Sequence, residues 1–193
     1  MIPIVIDPNV AHIALIGRGD ATVRRLALFD EGGTARLTVY SDEPTLDLKE
    51  AAGDRLIKAL PSPTNLAAFA VVWIVDLPLA LAQPLAEQVR AHGALVNVED
   101  VKPYCDFHNP ALVRRGDLLL TVSTNGQSPG LAARIKKQLG TLFGPEWADR
   151  LHKISRKRNA WKRRERPLPE LARLTDATID AKGWLQAVPG RLT

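Results

Sequence analysis

His12-Ile13-Ala14-Leu15-Ile16-Gly17-Arg18-Gly19-Asp20-Ala21-Thr22 begins as a short apolar run, turns at two glycines and passes into a helical pattern. Val23, Leu26, Ala27 and Phe29 recur at helical spacing up to Asp30, and Gly32-Gly33 marks the stop. Residues 35–40 then alternate as a half-buried strand does. Strand, glycine turn, helix and strand inside about thirty residues predict a βαβ unit. Outward from it, residues 55–59 are a weak strand candidate, 69–75 a buried strand, 81–92 a helix and 94–98 a further strand. This alternation predicts an α/β fold, a Rossmann-like parallel sheet covered by helices on both faces.

After Asp100 the rhythm changes. Residues 110–114 and 117–123 read as two strands joined at Arg115-Gly116, and 128–143 as an amphipathic helix with Ser128 as cap and Pro129 in its first turn. So small a block cannot bury both its faces alone, which makes pairing with a second copy the expectation. From Gly144 the chain turns to Trp, Lys and Arg, with nine basic residues between Arg150 and Arg166 against the single acid Glu165. A helix at 170–174 and a tail with Ile179, Trp184 and Leu185 follow. The expected organisation is a Rossmann-like NAD-binding domain over 1–112, a small α+β dimerisation segment over 113–145 and a basic helical C-terminal appendage over 146–193.

With 193 residues, 46% of them hydrophobic, the chain has material for a packed core. Its longest apolar stretch, 66–82, is interrupted by Asp76 and Pro78 and falls short of the roughly 20 residues that cross a bilayer. It is read as a buried strand entering a loop, and no membrane partner is expected. The N-terminus lacks the basic start and small-residue cleavage site of a secretory signal, so the cytoplasm is the expected compartment. Cys105 is the only cysteine, which excludes an intrachain disulfide and a cysteine-based zinc site. His108 has no second ligand at chelating spacing, so no structural metal is expected. The net charge of +5 favours anionic partners. Trp147 and Trp161 near the basic run admit nucleic acid, but a solvated helix face is preferred over any binding role.

The pyrophosphate of a dinucleotide needs backbone N–H donors at a helix start and no side chain in the way. Gly17 and Gly19 meet those needs. Thr22 stands at the third position of the fingerprint, where a smaller residue is usual, so the helix is expected to pack less closely on its strand. Tyr40-Ser41-Asp42-Glu43 ends the second strand, where an acid holds the adenosine ribose; this favours NAD, while Arg18, Arg24 and Arg25 leave NADP open. Asp100 lies just past the strand at 94–98, at a carboxyl end, where open α/β sheets bind ligands. Glu99 and Asp106 are its rivals for a ligand-facing place, and each is otherwise a solvated loop acid. The loop Ser123-Thr124-Asn125-Gly126-Gln127-Ser128-Pro129 suits a carboxylate or phosphate, or serves only as a cap and turn.

Gly17-Arg18-Gly19-Asp20, Asn97-Val98-Glu99-Asp100, Cys105-Asp106-Phe107-His108-Asn109-Pro110 and the serine-rich loop occur in an order that resembles the siroheme-synthase family of precorrin-2 dehydrogenases, many of which are also sirohydrochlorin ferrochelatases. The resemblance covers most of the first 145 residues. It implies an enzyme that oxidises precorrin-2 to sirohydrochlorin with NAD in siroheme biosynthesis, with ferrous iron insertion as a second activity, and that works as a homodimer. It further implies cofactor contacts at Gly17, Arg18, Gly19, Asp20, Ala21, Asp42 and Glu43. Asp100 becomes the catalytic base, and Asn97, His108, Ser123, Thr124, Asn125, Gly126, Gln127 and Ser128 the tetrapyrrole-binding positions. For metal insertion, a passing contact from Asp100 or His108 suffices. Where the family commonly has three consecutive glycines this chain has Arg18 in the middle, and Asn125-Gly126 replaces Gly-Gly. The alternatives are a chelatase alone, should Arg18 and Thr22 spoil the cofactor site, and a non-catalytic dinucleotide-sensing module with a nucleic-acid-binding tail.

Overall fold

The computed structural model describes residues 2–185; Met1 and residues 186–193, the end of the expected C-terminal appendage, lie outside the described residues. The chain divides after Asn109 into two compact units.

In the first unit, β1 (Ile13–Gly17) leads through the glycine turn into α1 (Asp20–Glu31) and on to β2 (Leu37–Tyr40). Then come α2 (Leu46–Ala52), β3 (Leu56–Ile57), α3 (Pro63–Leu66), β4 (Val71–Val75), α4 (Leu79–Ala91) and β5 (Leu95–Val98). All five strands are parallel, in the order β3-β2-β1-β4-β5. The chain therefore leaves β1 toward β2 on one side and returns to β4 on the other, so the strand order reverses between β1 and β4. In such sheets a ligand crevice opens at that reversal, outside the carboxyl ends of the strands.

Burial on both faces explains why the strands read as continuous apolar runs. All five residues of β1 and all five of β4 are buried. Ala14, Ile16, Val72, Ile74, Val96 and Val98 pack with Leu85, Ala86 and Val89 of α4 on one face. Ile13, Leu15, Val39, Val71 and Trp73 pack with Leu26 of α1 and Leu48 of α2 on the other. Each fully buried Leu, Ile or Val stabilises the fold by about 1.5–3 kcal/mol relative to exposure. Trp73 is held edge-on by Phe29 and Phe107, and its Nε1 donates to Asn109 Oδ1 at 3.1 Å.

The main strands stand where the sequence predicts them, and two short helices, α2 and α3, lie in segments where it predicts none. The reading of 66–82 as strand and loop covers the end of α3 and β4, and gives way at Leu79 to the first turn of α4. Neither α2 nor α3 is long enough to show a helical period. Their local signal is the cap: Thr45 Oγ1 accepts from the Leu48 N–H, and Ser62 and Asn65 form a reciprocal capping box. The weak candidate at 55–59 yields only two strand residues, β3 at the sheet edge.

The second unit contains β6 (Ala111–Arg115) and β7 (Leu118–Val122), an antiparallel pair, followed by α5 (Pro129–Leu142), α6 (Trp147–Lys162) and α7 (Leu168–Ala181). Gly116, at φ +57°, makes the two-residue turn between the strands. The basic run 150–166 is mostly α6, with Trp147 carrying the Arg150 guanidinium over its ring. Arg166 at the end of the run pairs with Glu170 one turn on. Among the described residues no helix is long and apolar enough to cross a membrane.

Candidate functional site

The turn after β1 is built around two glycines, of which Gly17 admits no side chain without a collision with fixed neighbours and Gly19 faces the end of the exposed Asp76 side chain. A Cβ on Gly17 would overlap both the Val75 carbonyl oxygen and the Thr22 side chain; one on Gly19 would lie 2.8 Å from Asp76 Oδ2. Thr22 is wholly buried and its Oγ1 donates to the Val75 carbonyl at 3.3 Å. The looser helix packing expected from Thr22 is thus not found. Its hydroxyl is satisfied by β4, and the missing side chain at Gly17 makes the room.

Arg18 turns toward the end of β2 and is committed there. Its Nε and Nη2 donate to Asp42 Oδ1 and Oδ2 at 2.8 and 2.5 Å, a two-pronged pair, and its Nη1 lies 3.4 Å from Glu43. The guanidinium's hydrogen bonds hold the Asp42 carboxyl below the usual carboxylate range, and the same contact raises Arg18. The sign is that of a depressed acid: the link is present at neutral pH and lost as pH falls through the lowered value. Arg18, Gly19, Asp20, Ala21, Arg24 and Asp76 line an open groove of about 540 Å³ at the turn.

The carboxyl ends of β4 and β5 carry two aspartates in step. Ile74 pairs with Val98 in the sheet, so Asp76 and Asp100 each stand two residues beyond the same rung. Both are exposed and both have positive φ, +53° and +63°. Asp100 makes no side-chain hydrogen bond or ion pair among the described residues. Its rivals are engaged: Glu99 pairs with Arg25 of α1, while Asp106 accepts from Arg90 Nε and from the Val96 N–H, each at 2.9 Å. Asn97 is 4% exposed and its Nδ2 donates to the Phe107 carbonyl at 2.7 Å, fastening the segment after β5 to the sheet. Its Oδ1 is buried without a partner. His108 is exposed in that segment. Burial pushes the Cys105 thiol up, and its Sγ donates to the Val98 carbonyl, so it is a packed side chain rather than a nucleophile.

In the second unit, Asn125 and Gly126 both have positive φ and form the tip of the serine-rich loop. Thr124 Oγ1 accepts from the Ser128 N–H, Ser123 Oγ accepts from the Asn125 N–H, and Gln127 donates its N–H to the Thr124 carbonyl. Ser128 Oγ accepts from the Leu131 N–H and so caps α5. Arg115 spends its guanidinium on the carbonyls of Gly140 and Phe143 at the end of α5.

Asp76 is the residue that sequence reasoning missed. Its carboxylate accepts the Ala21 N–H at 2.7 Å and so covers the start of α1, which Gly19 leaves without a side-chain cap. The signal was present as the first polar residue after an unbroken apolar strand, at the strand that adjoins β1 whenever the order reverses there.

A parallel sheet of this order, with a two-glycine turn into the first helix and acids at the carboxyl ends, defines a Rossmann-type dinucleotide-binding protein. Residues 4–111 match the family model described as "Putative NAD(P)-binding" and residues 115–142 the one described as "Sirohaem biosynthesis protein central". The chain belongs to this NAD(P)-binding family, with the sirohaem central segment behind it. It is 30% identical over 145 residues to the siroheme synthase of Methylococcus capsulatus, covering 74% of this chain and 30% of that protein. The siroheme synthase of Nitrosococcus oceani is also 30% identical over 145 residues, covering 74% of this chain and 31% of the relative. The chain thus spans about 30% of the length of the curated relatives it matches. A solved structure of SirC, precorrin-2 dehydrogenase, shares the fold with a TM-score of 0.74 at 23% identity, over 97% of this chain and 94% of that one.

Proposed function

We propose that the chain is an NAD-dependent precorrin-2 dehydrogenase, oxidising precorrin-2 to sirohydrochlorin in siroheme biosynthesis in the cytoplasm. The observation that carries this reading is the pairing, at one end of one sheet, of a two-glycine turn that opens on a groove of about 540 Å³ with an exposed acid, Asp100, that makes no side-chain hydrogen bond or ion pair among the described residues. The siroheme synthases among the relatives and the precorrin-2 dehydrogenase that shares the fold support the choice of substrate.

The fit to a dinucleotide rests on the open groove of about 540 Å³ lined by Arg18, Gly19, Asp20, Ala21, Arg24 and Asp76 at the start of α1. Gly17, Gly19, Asp20 and Ala21 present the turn and helix start to the pyrophosphate, while Arg18, paired with Asp42 and Glu43, stands with them at the adenosine ribose. An acid at the end of β2 accepts the ribose 2′-hydroxyl and repels a 2′-phosphate, which favours NAD over NADP. A nicotinamide dinucleotide held by these residues would supply the acceptor for the hydride that leaves a carbon of the macrocycle. Asp100 takes up the proton released with it, so that two electrons and two hydrogens leave the substrate in balance. The loop Ser123, Thr124, Asn125, Gly126, Gln127 and Ser128 suits the substrate's carboxylates by its chemistry, and in the first unit Asn97 holds the strand that presents Asp100. Iron insertion into the product is a second activity of the same acid, assisted by His108, which is exposed for a passing metal contact.

The test is anaerobic incubation with precorrin-2 and either NAD+ or NADP+. The spectrum of sirohydrochlorin is expected to grow in with NAD+ and to lag with NADP+; no oxidation with either would end the dehydrogenase reading.

We further propose three parts: 1–112 as the dinucleotide domain, 113–145 as the dimerisation segment and 146–193 as a solvated basic appendage. Among the described residues beyond Asn109, only Val113, Ala132 and Leu171 are buried apolar side chains, while Leu131 and Leu142 of α5 are half exposed. So thin a core supports a second copy of the chain as the missing cover. Sedimentation at micromolar concentration is expected to give the dimer mass, and a monomer would remove this proposal.

A further inference from the structure

The space that the second glycine of a dinucleotide turn keeps free is already taken, by an anion belonging to the chain itself. Asp76 Oδ2 lies 2.8 Å from where a Gly19 Cβ would be, and accepts the Ala21 N–H at 2.7 Å. Close backbone approach at that glycine and an N–H from the helix start are the two features that a pyrophosphate uses. One oxygen of the Asp76 carboxylate therefore holds the place of a phosphate oxygen. Asp76 reaches it from the carboxyl end of β4, on the far side of the point where the strand order reverses. The side chain is exposed, on a backbone at φ +53°, and Ala21 is the only hydrogen-bond partner of its carboxylate among the described residues. Nothing packs over it to prevent it from leaving. Asp20, Arg18 and Arg24 line the same groove, and Arg18 is engaged by Asp42 and Glu43.

We propose that Asp76 is an internal competitor for the cofactor's pyrophosphate: it occupies the α1 N-terminus in the empty protein, and dinucleotide binding requires its carboxylate to swing out. The inference rests on the dehydrogenase reading, and adds to it a residue that sets cofactor affinity. Two like charges cannot share one helix start, since their repulsion adds to the loss of the Ala21 hydrogen bond. The measured affinity is then the intrinsic one reduced by the fraction of molecules in which Asp76 has moved away. Removing the charge raises that fraction. The same contact caps α1 in the absence of ligand, so its loss lowers the melting temperature of the empty protein while enlarging the rise that ligand produces.

Titration calorimetry with NAD+ on the full chain tests this with Asp76→Asn, which keeps the shape without the charge, and Asp76→Gly, which suits the backbone. Both variants are expected to bind NAD+ about tenfold more tightly than the parent, with inorganic pyrophosphate competing more strongly, and to melt lower than the parent when empty. Unchanged affinity in both variants, with the parent binding NAD+ measurably, would overturn the competition and leave the dehydrogenase reading standing. Weaker binding in both would overturn it in the opposite sense, making Asp76 an aid to the cofactor. Absence of NAD+ binding in parent and variants alike would sink both proposals together.

Discussion

Asp100→Asn is expected to lower the turnover of precorrin-2 oxidation by about 10²–10⁴, the usual worth of a positioned general base, while NAD+ affinity stays that of the parent. Asparagine is the right replacement because residue 100 sits at φ +63°, a conformation that Asn tolerates and Ala does not. The loss therefore reports chemistry and not backbone strain. Glu99 and Asp106 cannot step in, because Arg25 holds the first and Arg90 with the Val96 N–H holds the second. Glu99→Gln and Asp106→Asn should accordingly cost stability more than rate. His108→Ala supplies the contrast: iron insertion falls and NAD-dependent oxidation is retained. Steady-state rates for both half-reactions check this, and an Asp100→Asn protein that oxidises at the parental rate would move the base elsewhere.

Gly17→Ala is expected to damage fold and cofactor site together. The new methyl would meet the backbone carbonyl of Val75, which is fixed inside a five-stranded sheet, and the side chain of Thr22, which is wholly buried. Neither neighbour is the free end of a flexible side chain. Overpacking of this kind costs about 1–3 kcal/mol, a fall of roughly 2–12 °C in melting temperature for a chain of this size. Shifting β1 against α1 also moves the N–H groups that receive the pyrophosphate, so NAD+ affinity falls with stability. Differential scanning calorimetry and titration of the same preparation check both effects. A variant that melts with the parent would mean that the turn relaxes where the packing says it cannot.

The architecture was legible wherever a single period ran long enough to be read. β1, α1, β4, α4 and β5 announce themselves by apolar runs or helical spacing, and the two glycines mark the turn without help from the rest of the chain. What stayed hidden was contact across distance. That Arg18 lies along Asp42, 24 residues on, and leaves the turn's amides alone is a fact about β2 lying beside β1. Asp100, Glu99 and Asp106 are equivalent acids in the sequence and become distinct only through Arg25, 74 residues from Glu99, and Arg90, 16 from Asp106. In the sequence Asp76 is only an interruption in an apolar stretch. Its meaning depends on a partner 55 residues earlier, across the strand reversal. The short helices α2 and α3 span under two turns and about one turn, too little for periodicity to speak.

The aromatic clamp on Trp73 has a practical consequence. Of the four tryptophans, Trp147, Trp161 and Trp184 all lie beyond Asn109, so Trp73 is the sole indole of the sheet-containing unit. Shielded from water between Phe29 and Phe107, it should emit toward the blue, and excitation can pass from it to a reduced nicotinamide. With the other three replaced by phenylalanine, the protein carries one optical reporter, built into the strand that leads to Asp76.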